Sequence, residues 1–401
     1  MRSGRNRSVN NGGGASATRV LWISKAAVTA SYRAKILYAN RLAPNWTIGV
    51  VTGLGWGPVT FEPRPEDGEY PLYQLPQGLS GRNHFHWYRG LAAVVRAFSP
   101  DILHIDEEHY SAVTAQSIRI ARQQQIPHII FQTWQNIYKR YPWPFSAIEQ
   151  MVFASAEAAL AGTEEIRDVL RQKGFTRPIA IIPLGTDTES FRPFPPEVRQ
   201  AARREFGTEG TFAVGYIGRL VEAKGLPDLF DGLLPWLADE ARNRLVIAGD
   251  GPWREKGRQR AAERGLAKQV RWLPWLPSDA VPRLMNALDL LVVPSRTTPG
   301  WKEQFGRVLT EAMATGLPVI GSSSGEIPRV LDTAGLIFPE GDANALRAGV
   351  ASLAADPVRR EELVRRGLER VHARYTQAAV ARQLLAFYQT LGPTPSPQSD
   401  G

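Results

Sequence analysis

The sequence predicts an α/β protein of two domains, each a parallel sheet covered by helices, facing one another across a cleft. Three observations predict it. Short apolar runs alternate with helical patterns through the first half, as strand–helix–strand units do. A connector from Pro183 to Pro196, rich in proline, then breaks both periodicities. Beyond it the alternation restarts, and 401 residues are enough for two domains of ordinary size. The second unit echoes the first in architecture, without residue-level repetition.

In the first unit, strands are expected at Val20–Ser24, Trp46–Val51, Asp101–His104, His128–Phe131, Ala158–Ala161 and Ala180–Ile182. Helices are expected at Arg33–Leu42, Trp87–Phe98, Ser111–Gln124 and Glu164–Lys173. The loop Ser24–Ser31 is small and polar. Ligands of open α/β sheets sit at the carboxyl ends of the strands, so this loop should border the cleft. The second unit offers strands at Phe212–Ile217, Arg244–Ala248, Val270–Leu273, Leu290–Val293, Pro318–Ile320 and Gly335–Phe338. Its helices fall near Leu226–Leu237, Arg254–Arg264, Ala280–Ala287 and Arg307–Ala314. Two more helical segments, Pro357–Arg374 and Ala378–Leu391, close the pattern.

Composition narrows the function. Hydrophobic content of 43% and charged content of 22% are those of a soluble globular protein. With no cysteine, thiolate metal sites and a cysteine nucleophile are excluded. The net charge of +9 and pI near 9.8 suit an anionic partner such as a nucleotide, or reflect a basic background. No Lys/Arg run marks a nucleic-acid arm, so no nucleic-acid partner is expected. Residues 1–17 and 392–401 read as polar tails, the first of them disordered. No stretch approaches a secretory signal or a bilayer span. The expectation is a cytosolic protein, with peripheral contact at the inner face of a membrane as an option. Basic and aromatic residues of Tyr32–Arg41 and His84–Arg96 fit that contact or ordinary amphipathic helices.

The chemistry concentrates in the second unit. Gly218-Arg219-Leu220 follows a strand and Lys224-Gly225 precedes a helix. Glycine lets a backbone approach a ligand, and cations beside a helix N-terminus suit phosphate. A surface turn with solvated cations is the alternative. Gly249, in Ala248-Gly249-Asp250-Gly251-Pro252, closes another strand. Trp272 and Trp275 wall a base or sugar site, or belong to the core. Glu303 and Glu311 flank a helix start at Phe305-Gly306, where unpaired N–H groups hold anions and two carboxylates grip hydroxyls. In the first unit, His104-Ile105-Asp106-Glu107-Glu108-His109 lacks the spacing of the zinc helix motif and reads better as a strand end leading into an acidic helix start. Phe131-Gln132-Thr133-Trp134-Gln135-Asn136 sits at a strand end, so it should line the cleft with amides and a hydroxyl.

Assembled in order, these motifs resemble the retaining glycosyltransferases of family 4. The resemblance runs from about Arg19 to Leu391. It is carried by Ile182-Pro183-Leu184-Gly185-Thr186-Asp187, Gly218-Arg219-Leu220 with Lys224-Gly225, Gly249-Asp250-Gly251-Pro252, Glu303-Gln304-Phe305-Gly306 with Glu311-Ala312, and Gly325-Glu326-Ile327-Pro328. It implies the GT-B fold, with C-terminal helices crossing back to the first domain. The implied division is an acceptor-binding domain at 18–190, a nucleotide-sugar-binding domain at 191–375, and a returning helix at 376–391. It implies a metal-independent hexosyl transfer from a nucleotide-diphosphate sugar, a co-substrate rather than a cofactor, to a glycan, lipid-linked or small-molecule acceptor. Arg219 and Lys224 would hold the diphosphate, Glu311 the ribose, and Glu303 the transferred sugar. Gln304, Phe305, Gly306 and Arg307 would offer backbone N–H groups, with Gly218, Gly249 and Trp275 completing the donor site. Ser24, Lys25, Gln132, Thr133, Gln135 and Asn136 would face the acceptor. Two departures stand out. Where many members carry a histidine touching the donor sugar, this chain has Gln132 or Thr133, and Arg329 stands where a glutamate is common. A nucleotide-sugar isomerase or epimerase of the same fold, or a non-catalytic nucleotide-sugar-binding subunit, fits the same donor motifs.

Overall fold

Strands of β-branched and aliphatic residues that are buried on both faces favour parallel sheets, and two such sheets organise the chain. The computed structural model describes residues 18–391; the expected tails at 1–17 and 392–401 lie outside the described residues. The first sheet holds β1 (Thr18–Ile23), β2 (Trp46–Gly53), β3 (Leu72–Leu75), β4 (Ile102–Asp106), β5 (His128–Thr133), β6 (Ala158–Ala161) and β7 (Ile179–Ile181). Their spatial order is β7-β6-β5-β4-β1-β2-β3, all neighbours parallel. The second sheet holds β8 (Phe212–Ile217), β9 (Asn243–Ala248), β10 (Val270–Leu273), β11 (Leu290–Val293), β12 (Val319–Ser322) and β13 (Leu336–Phe338). Its order is β10-β9-β8-β11-β12-β13, again parallel. In both sheets the order reverses beside the first strand, and a ligand crevice opens at such a switch point.

Helices cover both faces. In chain order they are α1 (Ala30–Leu42), α2 (Leu91–Phe98), α3 (Ala112–Gln123), α4 (Phe145–Ser155), α5 (Glu164–Gln172), α6 (Pro196–Phe206), α7 (Leu226–Asp239), α8 (Trp253–Glu263), α9 (Ala280–Ala287), α10 (Arg307–Ala314), α11 (Ile327–Leu331), α12 (Ala343–Ala355), α13 (Pro357–Arg374) and α14 (Gln377–Gln389). The last returns to the first domain. Val380, Leu384, Phe387 and Tyr388 join Val20, Trp22, Ile48 and Ile130 in one core, and Tyr388 stacks on Trp46 at 6.1 Å.

Several expectations need correction. Trp87 and Tyr88 do not begin a helix; they pair with Gln77 and Gly78 as a short antiparallel ladder. The helix starts at Leu91, after Gly90 at φ +80, where a residue with a side chain would be strained. Strand β3 and helices α4, α6, α11 and α12 were not anticipated. Prolines 142, 144, 195 and 196 flank α4 and α6, and they mark helix starts here rather than loops. The small polar loop expected at Ser24–Ser31 is instead a 3-10 turn, Lys25–Val28, running into α1.

Candidate active site

The carboxyl ends of both sheets face a common cleft of about 620 Å³. The glycine turns of the second domain stand behind one wall of it: Arg219, Lys224 and Gly306 line the cleft, while Gly218, Gly249 and Glu311 are not part of its lining. Gly218 ends β8 at φ +155 and Gly249 ends β9 at φ +142. A Cβ on Gly249 would lie 1.9 Å from the Gly218 carbonyl, so the two turns nest only as glycines. Gly225, at φ +75, leads into α7, and its Cβ would meet the Pro294 carbonyl at 1.7 Å. That close approach fixes Lys224 at the end of the preceding 3-10 turn.

Lys224 and Glu303, 79 residues apart, meet with Nζ to Oε2 at 2.6 Å. The Ser295 hydroxyl donates to the same carboxylate oxygen at 2.8 Å, and the Lys224 ammonium lies 4.7 Å from the Trp301 ring centre. Glu303 is only 7% exposed, so the pair works at reduced dielectric. Arg219 is exposed on the same wall. Gly306, at φ +73, precedes α10 without a side-chain cap, and Phe305, Gly306 and Arg307 present the start of α10 to the cleft. The Phe305 side chain itself is buried against Tyr375, so its contribution to the wall is backbone. Arg307 lies over Tyr32 of the first domain at 5.3 Å and pairs with Glu311 at 3.2 Å. Burial raises the Glu311 pKa above its ordinary 4.5, and Arg307 opposes that shift. The two tryptophans separate: Trp272 stacks on Phe230 at 5.9 Å, while Trp275 is 63% exposed and lines the cleft.

The opposite wall differs from the expectation. Of the six first-domain residues placed there by sequence, Lys25 and Gln132 line the cleft. Ser24 is buried beneath, donating to Asp106 at 3.0 Å. Thr133 turns away and donates to Glu108 at 2.6 Å. The Gln135 amide folds back on the Ile137 carbonyl at 2.7 Å. Asn136 is buried and bridges the domains, donating to Glu165 at 3.1 Å and to the Glu303 carbonyl at 3.4 Å. Alternation along β5 sends Gln132 and Thr133 to opposite faces. Of the two, Gln132 is the one at the cleft.

Trp134, in the strand-end run expected at the cleft, lines it, while Lys35, Asp106, Glu107 and Glu108 of this wall were given no site role from sequence. Only the adjacency of β4, β5 and α1 brings them together. Lys25 forms an ion pair with Glu107, and His86 lies 3.4 Å from the same carboxylate. Burial would raise the Glu107 pKa, but Lys25 and His86 outweigh it and hold it low. The acidic segment after β4 thus divides: His104 contacts the Tyr388 hydroxyl at 2.7 Å and His109 contacts Glu149 at 2.9 Å. Across the cleft mouth, Lys302 pairs with Glu165, the Glu165 N–H donates to Glu326 at 3.0 Å, and Gln304 donates to the Trp134 carbonyl at 2.6 Å.

Comparison with known proteins decides the family. Residues 198–370 match "Glycosyl transferases group 1", and residues 39–190 match "Glycosyltransferase Family 4". The chain belongs to the group 1 glycosyltransferases, family 4 type. Among similar curated proteins, 2-deoxystreptamine N-acetyl-D-glucosaminyltransferase of Streptomyces fradiae is 32% identical over 49% of this chain and 47% of its own length. Mannosylfructose-phosphate synthase of Agrobacterium fabrum is 25% identical over 79% of this chain and 74% of its own. The chain spans about half the length of the first curated relatives it matches. Among solved structures, a glycosyltransferase from Rickettsia africae superposes with a TM-score of 0.74 at 16% identity, covering 93% of this chain and 98% of that one. The Anabaena protein HepE in complex with UDP gives 0.72 at 17% identity, covering 93% and 100%. The architecture of this group 1 glycosyltransferase is therefore GT-B.

Proposed function

We propose that this glycosyltransferase is a retaining, metal-independent enzyme that moves a hexosyl unit from a nucleotide-diphosphate sugar to a hydroxyl of a glycan, lipid-linked or small-molecule acceptor. The observation that carries it is the second-domain wall: Lys224 held to Glu303 at 2.6 Å, with Arg219 and the start of α10 on the same surface. In transfer, the bond between the anomeric carbon and a diphosphate oxygen breaks. The acceptor oxygen bonds to that carbon, and its proton leaves to the departing diphosphate. The barrier is charge separation. Arg219, Lys224 and the α10 N-terminus stabilise the growing negative charge, and they do so more strongly in the transition state than in the ground state. Glu303 holds hydroxyls of the migrating sugar, Glu311 holds the ribose, and Trp275 borders the base. The acceptor approaches from the face the diphosphate leaves, so configuration is kept.

The test is transfer with a panel of nucleotide sugars, with product anomers read by NMR. One donor is expected to give product of unchanged anomeric configuration, and Glu303→Gln is expected to lower kcat by roughly 10²–10³. Donor conversion without transfer, or turnover unaffected by Glu303→Gln, contradicts the reading.

The first-domain rim is where we place a peripheral membrane contact. The stretch Tyr32–Arg41 is not a free face, because Arg33 and Lys35 are buried. Phe85, Trp87 and Trp143 are exposed beside exposed Arg82, Arg89 and Arg140, which suits an interface of anionic lipid. Sedimentation with anionic vesicles at low salt is the expected result, and failure to sediment removes this contact.

A further inference from the structure

The floor of the first-domain wall carries a polar group that the donor chemistry leaves unused. Asp106 and Gln132 are register partners at the ends of β4 and β5, and Lys35 reaches the same spot from α1. All three line the cleft, yet they are 8%, 2% and 5% exposed in that order. Their hydrogen-bonding capacity is largely unmet by protein. The Gln132 amide is buried beside the His104 ring, which takes up part of its capacity. Lys35 has the charge of Asp106 as its opposing influence and no side-chain hydrogen bond; its ammonium rests 4.6 Å from the Trp22 ring centre. Asp106 accepts from Ser24 through one oxygen at 3.0 Å. Beneath them, Trp22 Nε1 is also unpaired. Buried polar groups are costly without partners and are normally paired. A set of them at a cleft floor points to a ligand that supplies the bonds.

The donor and acceptor capacities define that ligand. Lys35 donates only, Asp106 as a carboxylate accepts only, and the Gln132 amide does both. Lys35 and Asp106 cancel in charge, and so do Lys25 and Glu107 beside them. The Glu108 carboxylate adds a negative charge to this wall. The opposite wall sets Arg219, Lys224 and Arg307 against Glu303 and is cationic. We infer that Lys35, Asp106 and Gln132 form the acceptor subsite and that it takes an uncharged polyol, a sugar or cyclitol ring presenting vicinal hydroxyls, in preference to a phosphorylated acceptor. One hydroxyl oxygen accepts from Lys35 and a neighbouring hydroxyl donates to Asp106. This inference rests on the cleft being a glycosyl-transfer site, with the donor on the second-domain wall.

The experiment uses the full chain with UDP and with GDP in separate samples. Binding of myo-inositol, D-glucose and D-glucose 6-phosphate is followed by saturation-transfer NMR. Both neutral rings are expected to bind, and Lys35→Met and Asp106→Asn are expected to weaken them about tenfold or more. Glucose 6-phosphate is expected to gain nothing over glucose. Nucleotide affinity, measured in the same variants, is expected to stay within about twofold, since neither residue belongs to the donor wall. Lys35→Met also removes a buried ammonium with no hydrogen bond, so its Tm should equal or exceed that of the wild type. The inference is overturned if neither neutral ring binds, if the variants bind them as the wild type does, or if the phosphorylated ring binds tighter through Lys35. A lower Tm in Lys35→Met with unchanged ring binding would make the residue structural and overturn it too. Loss of nucleotide binding in the wild type would instead count against the donor reading, while the ring titrations still decide the subsite.

Discussion

Lys224 and Glu303 hold each other at 2.6 Å, although their proposed tasks differ: one faces a diphosphate, the other a sugar. A preformed pair keeps both side chains in position before the donor arrives and lowers the ordering cost of binding. Glu311 behaves differently, because burial lifts its pKa above 4.5 while Arg307 pulls the other way. In the role proposed for Glu311, only the ionised carboxylate can accept from both ribose hydroxyls. As pH falls through the raised pKa the group protonates, so donor affinity should weaken on the acid side and recover above it. Calorimetric titration of the donor nucleotide from about pH 7.5 to 5 checks this, and Glu311→Gln is expected to flatten the slope. At this scale the meeting of Arg219, Lys224, Glu303 and the α10 start on one wall was legible because the motifs are local: a glycine turn followed by a cation, a carboxylate before a helix start. Thr133 and Gln135 misled because a strand-end run gives no sign of which side chain faces out. A one-residue shift along β5 reverses every assignment.

Glycines decide the geometry of the elements that carry the site. Gly325 has φ +53, and a Cβ there would stand 2.0 Å from the Glu303 carbonyl. The loop after β12 is therefore pressed onto the segment before α10, and Glu326 donates its N–H to the same carbonyl at 3.2 Å. Gly325→Ala should cost at least about 1–2 kcal/mol from its left-handed backbone alone. It should also displace Glu303, lowering transfer as well as Tm; a variant with wild-type Tm and turnover would show that this contact positions nothing. The strands of both sheets were readable as apolar runs because they are buried on two faces. Helices α4, α6 and α12 were harder. Prolines introduce α4 and α6, and α12 is an alanine-rich stretch in which only Leu346, Val350 and Leu353 are buried.

For the whole molecule, the cleft exists because two independent sheets are tied at its mouth and at the chain's end. Asn136 and Glu165 of the first domain reach Glu303, Lys302 and Glu326 of the second, and α14 completes the first domain's core. None of these cross-domain bonds has a signature in one sequence, since they join residues 137, 161 and 167 positions apart. The tie sets Arg219, Lys224 and Arg307 opposite Lys35, Asp106 and Gln132 in one cleft, so that in the proposed reaction donor and acceptor meet only when both domains are present. The central claim is that the second-domain wall holds a nucleotide diphosphate through Arg219 and Lys224. Calorimetric titration of UDP, GDP and ADP into the wild type and into the double variant Arg219→Ala/Lys224→Met tests it most directly. The account predicts that one of these nucleotides binds the wild type and that the double variant weakens it by about 100-fold or more. Equal affinity in the double variant, or no binding of any of the three to the wild type, would contradict it.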